Sequence, residues 1–312
     1  MSKITEALEK AARERLLQPS RKPQQTVSAE AVTVPLAPSH VGEVRKATHV
    51  RLDPHLVSGT APRSAIAEQY QMLRANLQSL HLRQGPKVFV VTSAVHGEGK
   101  SITSINLALT LARQKHVNVA LVDGDLRKGS IHKWLGLDER QCAKGLSTVL
   151  HQGGNLDGAL VRLQTPPLTV LPAGPYVAQP AELFTSTHMK RLLAALKTQF
   201  DVVLIDAPPV LPVADPGILA SYADGVLLVV RAGKTQRNIL IEAQTRLAQM
   251  KANILGCVLT HAERYLPGYA RYYHYYREDG GNGAAAPAVV RGPSAGEPSR
   301  AVGGGSGDAG AL

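Results

Sequence analysis

Six uniformly apolar runs punctuate the middle of the chain: Lys87 to Ser93 (KVFVVTS), Val117 to Asp123 (VNVALVD), Leu168 to Pro172 (LTVLP), Asp201 to Asp206 (DVVLID), Gly225 to Arg231 (GVLLVVR) and Ile254 to Thr260 (ILGCVLT). Runs this short and this apolar read as strands buried on both faces. Stretches of helical spacing separate them, among them Gly99 to Lys115 and Ala181 to Thr198, and Ser64 suits the cap of a further helix through Leu80. Such alternation predicts an α/β fold, a doubly wound and mainly parallel sheet with helices on both faces.

The flanks read differently. Ile4, Leu8, Ala11, Ala12 and Leu16 recur at helical spacing, so residues 1–18 are compatible with a thin amphipathic helix. Residues 19–62 are rich in Pro, Ser, Thr, Gln and Val without sustained periodicity and read as a flexible linker. The folded domain is expected over 63–263. A cluster of tyrosines occupies 264–277, and a Gly, Ala, Pro and Ser tail expected to be disordered fills 278–312.

The chain has 312 residues, 44% of them hydrophobic, enough for one substantial core. Lys and Arg outnumber Asp and Glu by 35 to 24, a net charge of +11, which favours an anionic partner: nucleotide, nucleic acid or an anionic membrane surface. No apolar run approaches the roughly 18 residues that a bilayer span requires, and the charged N-terminus lacks the apolar centre of a secretory signal. Cys142 and Cys257 have no metal-ligand spacing around them. The expectation is a reduced, cytoplasmic protein.

The strongest chemical signal is Ala94-Val95-His96-Gly97-Glu98-Gly99-Lys100-Ser101, between a predicted strand and a predicted helix. This is the phosphate-binding loop pattern with Ala first. Gly97 and Gly99 let backbone amides turn toward phosphates, Lys100 supplies a cation to the β and γ oxygens, and Ser101 offers a hydroxyl to Mg²⁺. Ile102 and Arg127 complete the candidate nucleotide contacts. Two acidic segments, Val122-Asp123-Gly124-Asp125-Leu126-Arg127 and Val203 to Pro209 (VLIDAPP), end buried strands where open parallel sheets bind ligands. Asp206 then holds Mg²⁺ through water, with Ser101 and Asp125 as further candidate ligands. For either carboxylate segment alone, a helix-capping turn is the plainer reading; three such features on neighbouring strands argue otherwise. ATP and Mg²⁺ are the expected cofactors.

Taken together these motifs resemble the bacterial tyrosine autokinases of capsule and exopolysaccharide biosynthesis. The segment DGDLR is similar to their additional acidic motif. FDVVLIDAPPVLPVADPGILASYADGVLLVVRAG from Phe200 resembles their second, and Gln179-Pro180-Ala181-Glu182-Leu183 their Asn-Pro-x-Glu-Leu segment with Gln for Asn. The likeness runs from Ala65 to Tyr276. It implies a P-loop kinase that phosphorylates Tyr265, Tyr269, Tyr272, Tyr273, Tyr275 and Tyr276, with Lys100, Asp123 and Asp125 as catalytic residues. Either carboxylate could orient and deprotonate the phenol; the resemblance implies Asp123 as base and Asp125 as metal-associated. Fold relatives of the ParA and MinD type carry a lysine where this chain has Val95, so an ATPase switch that binds DNA or a membrane scaffold is the alternative, followed by a nucleotide-binding regulator without transfer.

The same resemblance implies partners. They are a membrane activator of the chain-length-determinant type that recruits the kinase to the inner face of the plasma membrane, a cognate tyrosine phosphatase, and further copies of the chain. The family's ring pattern Glu-x-x-Arg-x-x-Arg is met by Glu68 and Arg74, but Gln71 replaces the first Arg. No specific nucleic acid is expected, although an aromatic, basic strip can stack on bases. Four phosphates on the tyrosine cluster would add roughly −6 to −8 charges and reverse its local sign.

Overall fold

The computed structural model of the protein describes residues 44–47, 50–81, 87–262, 265 and 288–290. The helix expected over 1–18 and the tyrosines at 269, 272, 273, 275 and 276 lie outside these residues.

The described strands join one sheet in the order β1 (Arg45–Lys46), β4 (Val161–Arg162), β5 (Thr169–Leu171), β3 (Val119–Asp123), β6 (Val202–Asp206), β2 (Lys87–Ser93), β7 (Gly225–Arg231), β8 (Ile254–Thr260) and β9 (Ala288–Val290). From β5 to β8 every pairing is parallel; β4 against β5 and β9 against β8 are antiparallel. The expected doubly wound parallel sheet is therefore present.

Alternation along each central strand divides two cores. Val88 and Val90 of β2, Val203 and Ile205 of β6, and Ala120 and Val122 of β3 face one layer, with Phe184, Leu192 and Leu196. Phe89 and Val91, Val202 and Leu204, and Val119 and Leu121 face the other. That second layer is covered by α2 (Ala65–His81) and α3 (Lys100–Ala112), through Leu73, Leu77, Leu107 and Leu111. Period-2 geometry then fixes where Asp123 and Asp206 point. Both continue the rows facing α3, the helix that begins at the phosphate loop.

Several elements differ from the sequence expectation. The helix foreseen over Ala181 to Thr198 is two, α6 (Pro180–Thr185) and α7 (Thr187–Gln199), broken where Ser186 takes extended backbone with ψ 157°. Its hydroxyl donates to Leu183 O at 2.6 Å, a local bond that competes with helix continuation. The helices α1 (Val57–Thr60), α4 (Ile131–Trp134) and α5 (Leu146–His151) are too short to leave a periodic signal. The helices α8 (Asp215–Ala220) and α9 (Arg237–Gln249) complete the set. The Ser64 cap is as expected, with its hydroxyl accepting from the Ala67 amide at 3.2 Å.

The largest correction concerns the linker. Residues 50–62 pack on the domain: Leu56 is wholly buried, and Val57 and Ser58 nearly so. The Ser58 amide donates to Asn106 Oδ1 at 2.9 Å, and Asn106 Nδ2 donates to His55 O at 3.0 Å. Backbone groups on this stretch find partners on α3, which composition could not reveal.

Phe89 is fully enclosed beneath α3. Phe89→Ala should lower the unfolding free energy by about 3–5 kcal/mol through lost burial and a cavity, measured as a reduced urea midpoint at unchanged slope.

Candidate nucleotide and phosphoryl-transfer site

The site gathers at the carboxyl ends of β2, β6 and β3. Between β2 and α3 the chain turns tightly, with Gly97 at φ 79° and Gly99 at φ 95°, conformations that a side chain resists. The first turn of α3 closes with the Thr103 amide donating to Gly99 O at 2.9 Å. A helix amino end thus stands at the loop, suited to an anion.

Register brings the acids together. Asp123 and Asp206 are paired positions on adjacent parallel strands, and both are fully buried. Lys100 Nζ lies 3.3 Å from Asp125 Oδ2 and 3.5 Å from Asp206 Oδ2. Ser104, one turn into α3, donates to Asp206 Oδ1 at 3.2 Å. Asp123 accepts the Ile131 amide at 3.1 Å on Oδ2 and the Asp125 amide at 3.3 Å on Oδ1.

Electrostatics follow from this crowding. Burial pushes the Asp123 carboxyl up to about 7; the Asp206 charge adds to the effect, and the Ile131 amide and Lys100 oppose it. Burial likewise raises Asp206, against Lys100, Ser101 and Ser104. Burial alone would lower the Lys100 ammonium, but Asp206, Asp125 and Asp123 hold it above its ordinary value. Asp123 is therefore a buried acid brought near neutrality, as proton acceptors in enzymes are.

The residues fit a Mg²⁺ ion. Asp206 Oδ2 is buried without a hydrogen-bond donor of its own, with the Lys100 ammonium 3.5 Å away. No cluster of three or more His, Cys, Asp and Glu encloses a metal among the described residues. That suits Mg²⁺, which takes one or two carboxylates and fills its shell with water and phosphate. Beside the loop opens a cavity of about 510 Å³, within the ordinary range for small-molecule sites. His55, Tyr70 and Trp134 line it together with Lys100, Ser101 and Arg231.

The family model described as AAA domain matches residues 86–253. The tyrosine-protein kinase YwqD of Bacillus subtilis is 35% identical over 236 residues, 76% of this chain and 97% of that protein. This chain belongs to the bacterial tyrosine kinases. The tyrosine-protein kinase CpsD of Streptococcus agalactiae is 31% identical over 212 residues, 68% of this chain and 90% of that one. Among solved structures, the chimerical protein CapA2B2 superposes with TM-score 0.61 at 28% identity, covering 70% of this chain and 92% of that one. The kinase domain of the Escherichia coli tyrosine kinase ETK gives TM-score 0.61 at 26% identity, covering 65% and 78%.

Within this kinase, two sequence candidates have side-chain partners in the fold. Glu98 is buried, accepting the Val95 amide at 2.8 Å and the Thr235 hydroxyl. Arg127 is committed to Asp215, with Nε at 2.9 Å and Nη2 at 3.4 Å from the two carboxylate oxygens. Ala94 and Ser93 are buried beneath the loop, whereas His96 and Gly97 are exposed on it. Tyr265 is 55% exposed and rests its ring where a Cβ on Gly233 would lie.

Sequence reasoning missed the loop's far wall. Thr260 at the end of β8 donates to Glu98 O at 2.8 Å, and Arg231 at the end of β7 donates to Gly97 O at 3.3 Å. With Thr235 these residues brace the phosphate loop from the β7–β8 side. No motif marks them. Glu98→Ala would orphan the Val95 amide, so it should cost about 1–3 kcal/mol of stability and weaken ATP binding in calorimetry. Glu98→Gln, which keeps an acceptor oxygen, should preserve most of both.

Proposed function

We propose that this kinase transfers the γ-phosphoryl group of ATP to tyrosines of its own C-terminal segment, residues 265–276, delivered in trans by a neighbouring copy. The observation that carries this reading is the convergence of Lys100 with three buried carboxylates, one of them, Asp123, raised to about 7. Bare nucleotide binding does not require a proton acceptor of that kind, whereas a phenol with a pKa near 10 benefits from one.

In this mechanism the amides of Gly97 to Ser101 and the ammonium of Lys100 bind the phosphates. Ser101, Asp206 and Asp125 would hold Mg²⁺, which when bound supplies charge neutralisation between the β- and γ-phosphates. Asp123 accepts the phenolic proton as the phenol oxygen bonds to the γ-phosphorus and the bond to the ADP oxygen breaks. The Ile131 amide fixes Oδ2 of Asp123. Lys100 neutralises charge on the oxygens that receive it.

The proposal extends to the setting. No helix among the described residues is long and apolar enough to cross a membrane. The family resemblance supports a membrane activator of the chain-length-determinant type, a role in polysaccharide polymerisation and export, and reversal by a tyrosine phosphatase. Gln71, in place of an Arg, removes a bidentate partner for a carboxylate and weakens ring assembly accordingly.

Incubation with labelled ATP and Mg²⁺, followed by phosphotyrosine mapping, tests the reading. Label should fall on Tyr265 to Tyr276, rise when activator tails are added, and vanish with Lys100→Met or EDTA. ATP hydrolysis without phosphotyrosine under all these conditions would replace the kinase mechanism with an ATPase switch.

A further inference from the structure

The segment ahead of the kinase core is tied to both halves of the site. Its hold on α3 runs through Asn106, as described, and through two further bonds. Arg113 Nε donates to Ser58 O at 3.0 Å, and Thr110 Oγ1 to Ser58 Oγ at 2.9 Å. Its hold on α4 is separate. The Asp53 amide donates to Trp134 O at 2.9 Å. The His55 ring stands edge-on to Trp134 at 6.1 Å between centroids and 82° between planes, within the favoured range for such pairs. Asp53 Oδ1 in turn binds His55 Nδ1 at 2.7 Å and accepts the His55 amide at 2.9 Å, which fixes the ring. Gly136, at φ 62°, lets the Arg51 backbone lie where a Cβ would otherwise stand.

The far end of α4 matters. Its first residue is Ile131, whose amide holds Asp123 Oδ2. The helix is a single turn of four residues with no side-chain cap, so its own hydrogen bonding holds it weakly. Burial of Ile131 anchors it in the core, while the strap holds its carboxyl end and Asp123 its amino end.

We propose that residues 51–58 are a positioning strap for phosphoryl transfer, with His55 and Trp134 as positioning residues that set Asp123 through α4. The proposal rests on the reading of Asp123 as proton acceptor. Neither residue touches the reacting atoms; each acts through the Ile131 amide. A shift of about 1 Å in a catalytic group can cost on the order of a hundredfold in rate.

The test separates kcat from ATP binding in the full-length protein, reading phosphotyrosine formation on an added tyrosine peptide and ATP hydrolysis in parallel. Two variants displace the strap by independent routes. His55→Ala removes the ring contact at the cavity wall. Gly136→Ala collides with the Arg51 backbone and does not line the cavity. Both should lower kcat about 10- to 100-fold, and in Gly136→Ala, which does not line the cavity, the ATP Kd should stay within about twofold. His55→Phe, which keeps an aromatic edge on Trp134, should recover most of the rate. Trp134 is the chain's one tryptophan, so its fluorescence reports strap displacement directly in Gly136→Ala. A fluorescence change with kcat unaltered would overturn the proposal, as would losses confined to ATP affinity. If the wild-type protein hydrolyses ATP but forms no phosphotyrosine, the tyrosine reading fails. The strap is then judged on hydrolysis, where a kcat loss at constant ATP Kd upholds it and an unchanged kcat rejects it.

Discussion

Three carboxylates and one ammonium share a largely buried volume at one end of the sheet, and the rest of the domain is arranged around keeping them there. Asp123 and Asp206 are neighbours on strands about 4.8 Å apart, a separation at which two ionised groups repel by a few kcal/mol at an effective dielectric near 20. Lys100 offsets that repulsion from one side, Ser104 and the Ile131 amide from the other. A buried charge stripped of its partner is costly, so the cluster must be complete or disassembled. That demand explains why the phosphate loop is clamped by residues of β7 and β8 rather than left free to follow its ligand.

The division of labour across the sheet is clear in this light. The β3 and β6 side supplies the buried carboxylates. The β7 and β8 side supplies hydroxyls and a guanidinium that hold the loop by its carbonyls and by Glu98. β2 stands between them and contributes the loop itself.

Much of this was legible in the sequence, for a definable reason. The phosphate loop, Asp123, Asp125 and Asp206 sit in local patterns, and a buried strand's carboxyl end is readable from the run that precedes it. The direction of Glu98 was not, because its partner Thr235 lies far along the chain and only the fold brings them together. The partner of Arg127 was not legible for the same cause: Asp215 begins a different helix. The strap was missed because residues 50–60 carry the composition of a linker. Asn106 and Arg113 satisfy its backbone individually and Thr110 holds the Ser58 hydroxyl, without periodicity. Ser186 divided a helix through one hydroxyl bond that propensity does not weigh.

The strand that carries the phosphate loop is among the first to be synthesised, yet both of its sheet neighbours come late. Lys87 pairs with Val202 on one side and Phe89 with Gly225 on the other. A growing chain on the ribosome thus holds KVFVVTS, apolar and rich in β-branched residues, with nothing to hydrogen-bond to until most of the domain has emerged. Such a segment is a template for intermolecular pairing, and contacts this distant in sequence slow folding. The catalytic centre and the risk of aggregation therefore originate in the same seven residues. Cellular supply of this enzyme depends on how well they are shielded during translation.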